Sequence, residues 1–137
     1  MPHITLEVPS LIKNEINWGD FFKKTHKNLA DAGYGRLEDF KSRTIILDSW
    51  QVADQTDDAI FIFATLQTMN PRPQESIRAM GQIICSNLEQ EGKKIAKGRW
   101  LQICVKVSGT HPEDYFKLHL NSPNLMQGLF TPGEIPQ

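Results

Sequence analysis

The sequence predicts an α/β (α+β) domain in which two β-α-β units build a four-stranded sheet with two helices on one face. Three observations carry this expectation. Strand-like and helix-like periodicities follow one another as strand, helix, strand, and then do so again, over segments 2–52 and 58–108 of similar length, although the residue identities do not repeat. Hydrophobic residues make up 39% of the chain and charged residues 23%, an ordinary globular composition, and 137 residues suffice for one domain with a real core. Parallel neighbours in each unit require a crossover, which is right-handed by rule and places both helices on the same side.

The first strand is expected directly at the N-terminus, where Ile4, Leu6 and Val8 alternate with His3, Thr5 and Glu7 in the period-two pattern of a half-buried strand. Val8-Pro9-Ser10 interrupts that ladder, so residues 9–16 read as a loop. From Trp18 to Ala32, Trp18, Phe21, Phe22, Leu29 and Ala30 can share one helical face, with Asn17 as N-cap and Gly33 as the stop. His26 lies among lysines in this helix and reads as a solvated surface residue. After a turn at 34–39 comes the β-branched run Phe40–Leu47, a strand continuing towards Trp50, on which Lys41 and Arg43 point to the same side.

Asp54, Asp57 and Asp58 stand in a polar connector whose spacing is not that of a calcium loop, so it reads as a solvated turn. Ala59–Leu66 is the most continuous apolar run and predicts a strand buried on both faces. A second helix is expected from Pro73, at its first position, to about Lys97, with Ile77, Met80, Ile84, Leu88 and Ile95 as its stripe. Gly98 ends it, and Leu101, Ile103, Val105 and Val107 mark the last strand. The second and third strands also carry apolar side chains towards the face the helices leave open, which predicts association with other subunits. The tail contains Pro112, Pro123, Pro132 and Pro136 and shows little periodicity, apart from a short structured piece around Tyr115–Leu118.

The formal net charge of −1 provides no basic excess for phosphates, which argues against a general nucleic-acid binder. No apolar run has the length of a membrane span, and no charged segment followed by an apolar one reads as a secretory signal. Cys85 and Cys104 lie in apolar, periodic segments and read as reduced core residues of a cytoplasmic protein.

Chemistry is concentrated in a few positions. Met1 precedes Pro2, and removal of that methionine would leave Pro2 with a free secondary amine fixed to the start of a core strand. An ordinary α-amino group has a pKa of about 7.7–8.0, and desolvation or neighbouring cations lower it. Arg43 and Lys41 supply positive charge from the second strand. Arg72 stands where the second helix begins, a place where the helix dipole disfavours a cation unless an anion binds between them. From spacing alone Arg72 reads first as a surface arginine with its guanidinium in water. If the cations face Pro2, they oppose its protonation, hold a substrate carboxylate and stabilise a developing enolate, which is what a tautomerase requires.

Larger blocks of sequence resemble a known family. Met1-Pro2-His3-Ile4 is similar to the start of the 5-carboxymethyl-2-hydroxymuconate isomerase family of the tautomerase superfamily. Ser42-Arg43 and then Leu47-Asp48-Ser49-Trp50-Gln51-Val52-Ala53-Asp54 resemble its Ser-Arg … Val-Asp-Thr-Trp-Gln-Met-Ala-Asp stretch. Arg72 with Glu75-Ser76 matches its Arg-x-x-Glu-Ser, and His111-Pro112 with Phe116-Lys117 its His-Pro … Phe-Lys. The likeness spans residues 2–118, taken as a tautomerase-like domain, with 119–137 as a C-terminal extension.

The resemblance implies a homotrimer of double β-α-β subunits, packed with their strands inward, acting in the breakdown of aromatic compounds without metal or organic cofactor. It implies a cofactor-independent isomerase for a small unsaturated 2-hydroxy or 2-oxo acid. Pro2 and Arg72 would be catalytic, as base and as the group that holds or polarises the substrate; Arg43 and Lys41 would bind it. The family's Arg-Ser-Arg reads Lys41-Ser42-Arg43 here, so one planar guanidinium fork is replaced by an ammonium. Hydration or dehalogenation of an unsaturated acid is the alternative chemistry, and a trimeric binding protein without chemistry is the alternative class.

Overall fold

The computed structural model describes residues 2–55 and 58–121. Strand β1 (His3–Pro9) buries Ile4, Leu6 and Val8 completely while the residues between them stay half-exposed, as the alternation requires. Helix α1 (Trp18–Asp31) starts at Asn17, whose side chain accepts from the amide of Asp20 at 3.0 Å. It gives way to Gly33, which takes a φ of 88° that an L side chain resists. Strand β2 (Lys41–Leu47), strand β3 (Ile60–Thr68), helix α2 (Gln74–Ile95) and strand β4 (Leu101–Gly109) follow.

The sheet order is β2-β1-β3-β4. β1 runs parallel to β2, β3 runs parallel to β4, and the two central strands β1 and β3 are antiparallel. Each β-α-β unit is thus a parallel pair, and the units join through their first strands. Ile4, Leu6 and Val8 share one core cluster with Ile60, Ile62 and Leu66 from β3. Phe21 and Leu29 of α1 and Met80, Ile84 and Leu88 of α2 belong to the same cluster, so both helices cover the same face. The expected architecture is the observed one.

Several local expectations are corrected. Pro73 is the N-cap and not the first helical residue: its ψ of 148° is extended, and the helix begins at Gln74. β2 stops at Leu47, and Trp50 leaves the sheet to donate its Nε1–H to the carbonyl of Ala59 at 3.1 Å, tying down the connector. β3 is not buried on both faces; every second residue from Ile60 to Thr68 is buried, while Phe61, Phe63, Thr65 and Gln67 are half-exposed on the face without helices. His26 is not solvated. It is half-buried, its ring stacked between Phe22 and Phe40 at centroid distances of 6.3 and 5.8 Å, and its Nε2 hydrogen-bonds Ser42 Oγ at 2.5 Å. Cys85 and Cys104 are free thiols, but both are half-buried instead of core. Of the extension placed at 119–137, residues 122–137 lie outside the described residues, as do two residues of the polar connector.

Candidate active site

All four strands meet at one end of the sheet, where β1 and β2 begin and β3 and β4 end. The register aligns His3 with Lys41 on one side and with Gln67 on the other, and Gln67 in turn with Ser108. Pro2 precedes this row. It is buried, and its carbonyl accepts from the amide of Lys41 at 3.1 Å, so the residue is held in the ladder. Strand alternation sends Lys41, Arg43, His3 and Gln67 to the face without helices. The structure thus brings Lys41 and Arg43 to the same side as expected, beside the residue that follows Pro2.

The chain after β4 crosses this end of the sheet strand by strand. The Thr110 amide donates to the Thr68 carbonyl at 2.7 Å and its hydroxyl accepts from Gln67 Nε2, both on β3. A 3-10 turn at Pro112–Asp114 follows. The Tyr115 hydroxyl then reaches His3 Nε2 on β1 at 2.9 Å, with the two rings edge to face. Lys117 lies among Asp39, Lys41 and Arg36, where β2 begins. Residues 110–117 are therefore a strap over the N-terminal end of β1.

Arg43 Nη2 meets His3 Nδ1 at 2.5 Å. The His3 proton affinity is lowered, first by burial and then by the charges of Arg43, Lys41, the chain's amino terminus and Lys117. Burial also lowers that of Lys117, with Lys41 and Arg36 adding to the effect and Asp39 opposing it. Lys41 Nζ turns back onto its own turn, donating to the carbonyls of Asp39 at 3.1 Å and Glu38 at 3.4 Å. Positive charge thus converges on the residue next to Pro2 from both β2 and the strap.

Arg72 is placed differently. Its Nη2 donates to the carbonyl of Tyr34 at 3.1 Å, on the helix-covered side, and no hydrogen bond joins it to Pro2, Lys41 or Arg43. Its Nε is buried and has no partner among the described residues. The loop that carries it borders a small cleft of about 210 Å³ lined by Pro71, Gly109, Thr110 and His111, at the same end of the sheet. A hollow of about 640 Å³ between the helices, walled by Asn28, Tyr34, Ile83 and Asn87 among others, holds none of the charged groups at the strand ends. No group of three His, Cys, Asp or Glu residues suited to a metal ion occurs among the described residues, and no helix among them is long and apolar enough to cross a membrane.

Sequence reasoning missed His3, Tyr115 and Lys117. His3 was legible as the polar half of an alternation and as part of the N-terminal stretch shared with the family, and neither gave it a role. The strap residues carried a weak signal in the short patterned piece at Tyr115–Leu118, but nothing local says that a tail recrosses the sheet.

The mixed sheet of two β-α-β units, with a proline leading a central strand, is the fold of the tautomerase superfamily. A 5-carboxymethyl-2-hydroxymuconate isomerase from Deinococcus radiodurans R1 superposes with a TM-score of 0.76 at 20% identity, over 87% of this chain and 90% of that one. FG41 malonate semialdehyde decarboxylase, inhibited by 3-bromopropiolate, has the same fold, with a TM-score of 0.61 at 15% identity over 93% and 96% of the two chains. The family is defined more narrowly by sequence: the chain belongs to the 5-carboxymethyl-2-hydroxymuconate isomerase family, whose model matches residues 2–122. It is 27% identical over 117 residues to the 5-carboxymethyl-2-hydroxymuconate Delta-isomerase of Escherichia coli, covering 85% of this chain and 93% of that protein. The protein is an isomerase.

Proposed function

We propose that this isomerase moves a proton within a small unsaturated 2-hydroxy or 2-oxo carboxylic acid with one or more carboxylates, such as 5-carboxymethyl-2-hydroxymuconate, with the amine of Pro2 as the base. The observation that carries the reading is the convergence of Arg43, Lys41 and Lys117 on His3, the residue bonded to Pro2. Cations gathered there oppose protonation of a neighbouring amine and keep its neutral form available at neutral pH. Arg43 and Lys41 draw in the substrate carboxylate. Pro2 takes the proton from the enol oxygen or from carbon and returns it to another carbon of the conjugated chain. Charge that builds on the substrate oxygen is met by fixed donors, which costs no reorganisation at the moment of transfer. Arg72, whose buried Nε lacks a partner among the described residues, holds or polarises the substrate's 2-oxo oxygen after its guanidinium swings from the Tyr34 carbonyl.

The reading requires loss of Met1, since an amide nitrogen is no base. It also includes a homotrimer: Ile45 is 47% exposed, and Phe61 and Phe63 are half-exposed, on the face opposite α1 and α2, where copies of the chain would pack strands inward. A cytoplasmic role in aromatic-compound breakdown accords with it. The test is ketonisation of 2-hydroxymuconate followed by ultraviolet absorbance, with protein whose mass proves Met1 absent. Turnover well above the buffer rate that falls by orders of magnitude in Pro2→Ala is expected. Turnover unchanged by that substitution would remove Pro2 as the base, and none at all would exclude this substrate class.

A further inference from the structure

Arg43 and Tyr115 are fastened to opposite nitrogens of one imidazole, and the direction of both hydrogen bonds follows from elementary chemistry. A guanidinium has five donors and no acceptor, so at the 2.5 Å contact with Arg43 Nη2 the His3 Nδ1 supplies its lone pair. In neutral imidazole the single proton then sits on Nε2 and is donated to Tyr115 Oη at 2.9 Å. The phenol oxygen accepts that bond, so its own O–H is aimed away from His3. Arg43 spends only one of its donors on the ring and keeps the rest of its fork. Two donors of one small site are thereby set apart by the full width of a histidine ring. They cannot close on the two oxygens of a single carboxylate as an arginine fork does. They suit two separate oxygen-bearing groups on one molecule. The surrounding charge of Lys41 and Lys117 favours both groups being anionic.

We propose that Tyr115 is a specificity-determining donor that reads the second carboxylate of a di-acid whose first carboxylate lies at Arg43, and that His3 is the positioning residue that aims it. The proposal rests on the isomerase reading above and adds to it a residue from the strap over the sheet end. It makes the strap part of the substrate's surroundings: residues 110–117 carry the phenol from the far edge of the sheet to β1, a placement no other described segment supplies.

The test compares 2-hydroxymuconate, with two carboxylates, and 2-hydroxypenta-2,4-dienoate, with one, in steady-state ketonisation. Tyr115→Phe keeps the ring and removes the hydroxyl. It is expected to raise KM for the di-acid by about ten-fold or more, the usual cost of one hydrogen bond to a charged group, and to leave kcat and the mono-acid KM within about two-fold. His3→Leu should reproduce that discrimination loss, whereas His3→Gln, whose amide N–H stands near the place of Nε2–H, should restore most of it. Equal shifts for both acids, or no shift, would overturn the role of Tyr115 while Pro2-dependent turnover left the isomerase reading intact. Turnover of both acids that ignores Pro2→Ala would instead remove the isomerase reading and this proposal with it. A readout independent of activity is the imidazole nitrogen shifts of ¹⁵N-histidine-labelled protein, assigned by His3→Gln. The proton is expected on Nε2 of His3, and a proton on Nδ1 would overturn the proposal even in a chain that turns over neither acid.

Discussion

Asn87 offers the sharpest test of how the two helices are held in register above the sheet. It sits on the buried side of α2 at 7% exposure, and its Nδ2 gives both hydrogens to α1: one to Thr25 Oγ1 at 3.1 Å, the other to Asn28 Oδ1 at 3.0 Å. Thr25 is fully buried, so its oxygen has no water to turn to when the amide is removed. Asn87→Ala removes two neutral hydrogen bonds worth about 1 kcal/mol each and strands a buried acceptor, for an expected loss of roughly 1–3 kcal/mol. Thr25→Val keeps the shape and removes the acceptor. It should cost about 1 kcal/mol, because one amide hydrogen is stranded while the Asn28 bond survives. In the double variant that penalty is counted once, so the two losses should fall short of their sum by about 0.5–1.5 kcal/mol. Urea unfolding at one fixed protein concentration measures this, the fixed concentration being needed because any subunit association adds to apparent stability. An Asn87→Ala loss below about 0.5 kcal/mol, or strict additivity, would refute the claim that this amide clasps the helices.

Two further predictions concern the same framework. Gly81 lies inside α2, and a Cβ there would stand 3.4 Å from Val107 Cγ2, an ordinary contact, so Gly81→Ala should raise stability by about 0.5–1 kcal/mol through helix propensity. Gly92→Ala should gain less or lose, because its Cβ would press to 3.2 Å on both Ile103 Cδ1 and Leu101 Cδ2; the reverse ranking in thermal midpoints would refute this packing. His26 has a proton affinity depressed below its ordinary 6.5, by burial first and by Lys41 second. The folded chain binds that proton less readily than the unfolded chain. Its contribution is therefore complete above pH 6.5 and is lost as pH falls from there through the folded value. His26→Phe should reduce the drop in urea midpoint between about pH 7.5 and 5.5, the remainder including His3, whose shift has the same sign; an undiminished drop would refute the assignment.

The framework was legible because each element writes its own periodicity. Ile4, Leu6 and Val8 announce a strand buried on one side, Asn17 and Gly33 bracket a helix, and the doubled strand-helix-strand order leaves few ways to build a sheet. The errors fall where tertiary contact decides. An unbroken run such as Ala59–Leu66 looks two-sided, yet burial of its second face depends on what packs there, and among the described residues that face stays half-exposed. His26 stands among lysines in sequence and among aromatic rings in space, because Phe40, fourteen residues later, folds back onto α1. The start of α2 at Gln74 instead of Pro73 turned on a single ψ angle.

The site was legible as a set of residue types but not as an arrangement. Lys41 and Arg43 were expected on one side of β2, and their pairing with His3 follows once β1 and β2 are known to be parallel with His3 opposite Lys41. Arg72 could not be oriented at all, because a loop residue carries no periodicity. The replacement of one family arginine by Lys41 gains a physical reading from the contacts. An ammonium with two of its three hydrogens on the Glu38 and Asp39 carbonyls has charge and one donor to offer but no planar fork. In the proposed reading, bidentate recognition from β2 then falls to Arg43. A second anionic group must be read by something else, and the phenol that the strap carries to His3 stands where that donor is required.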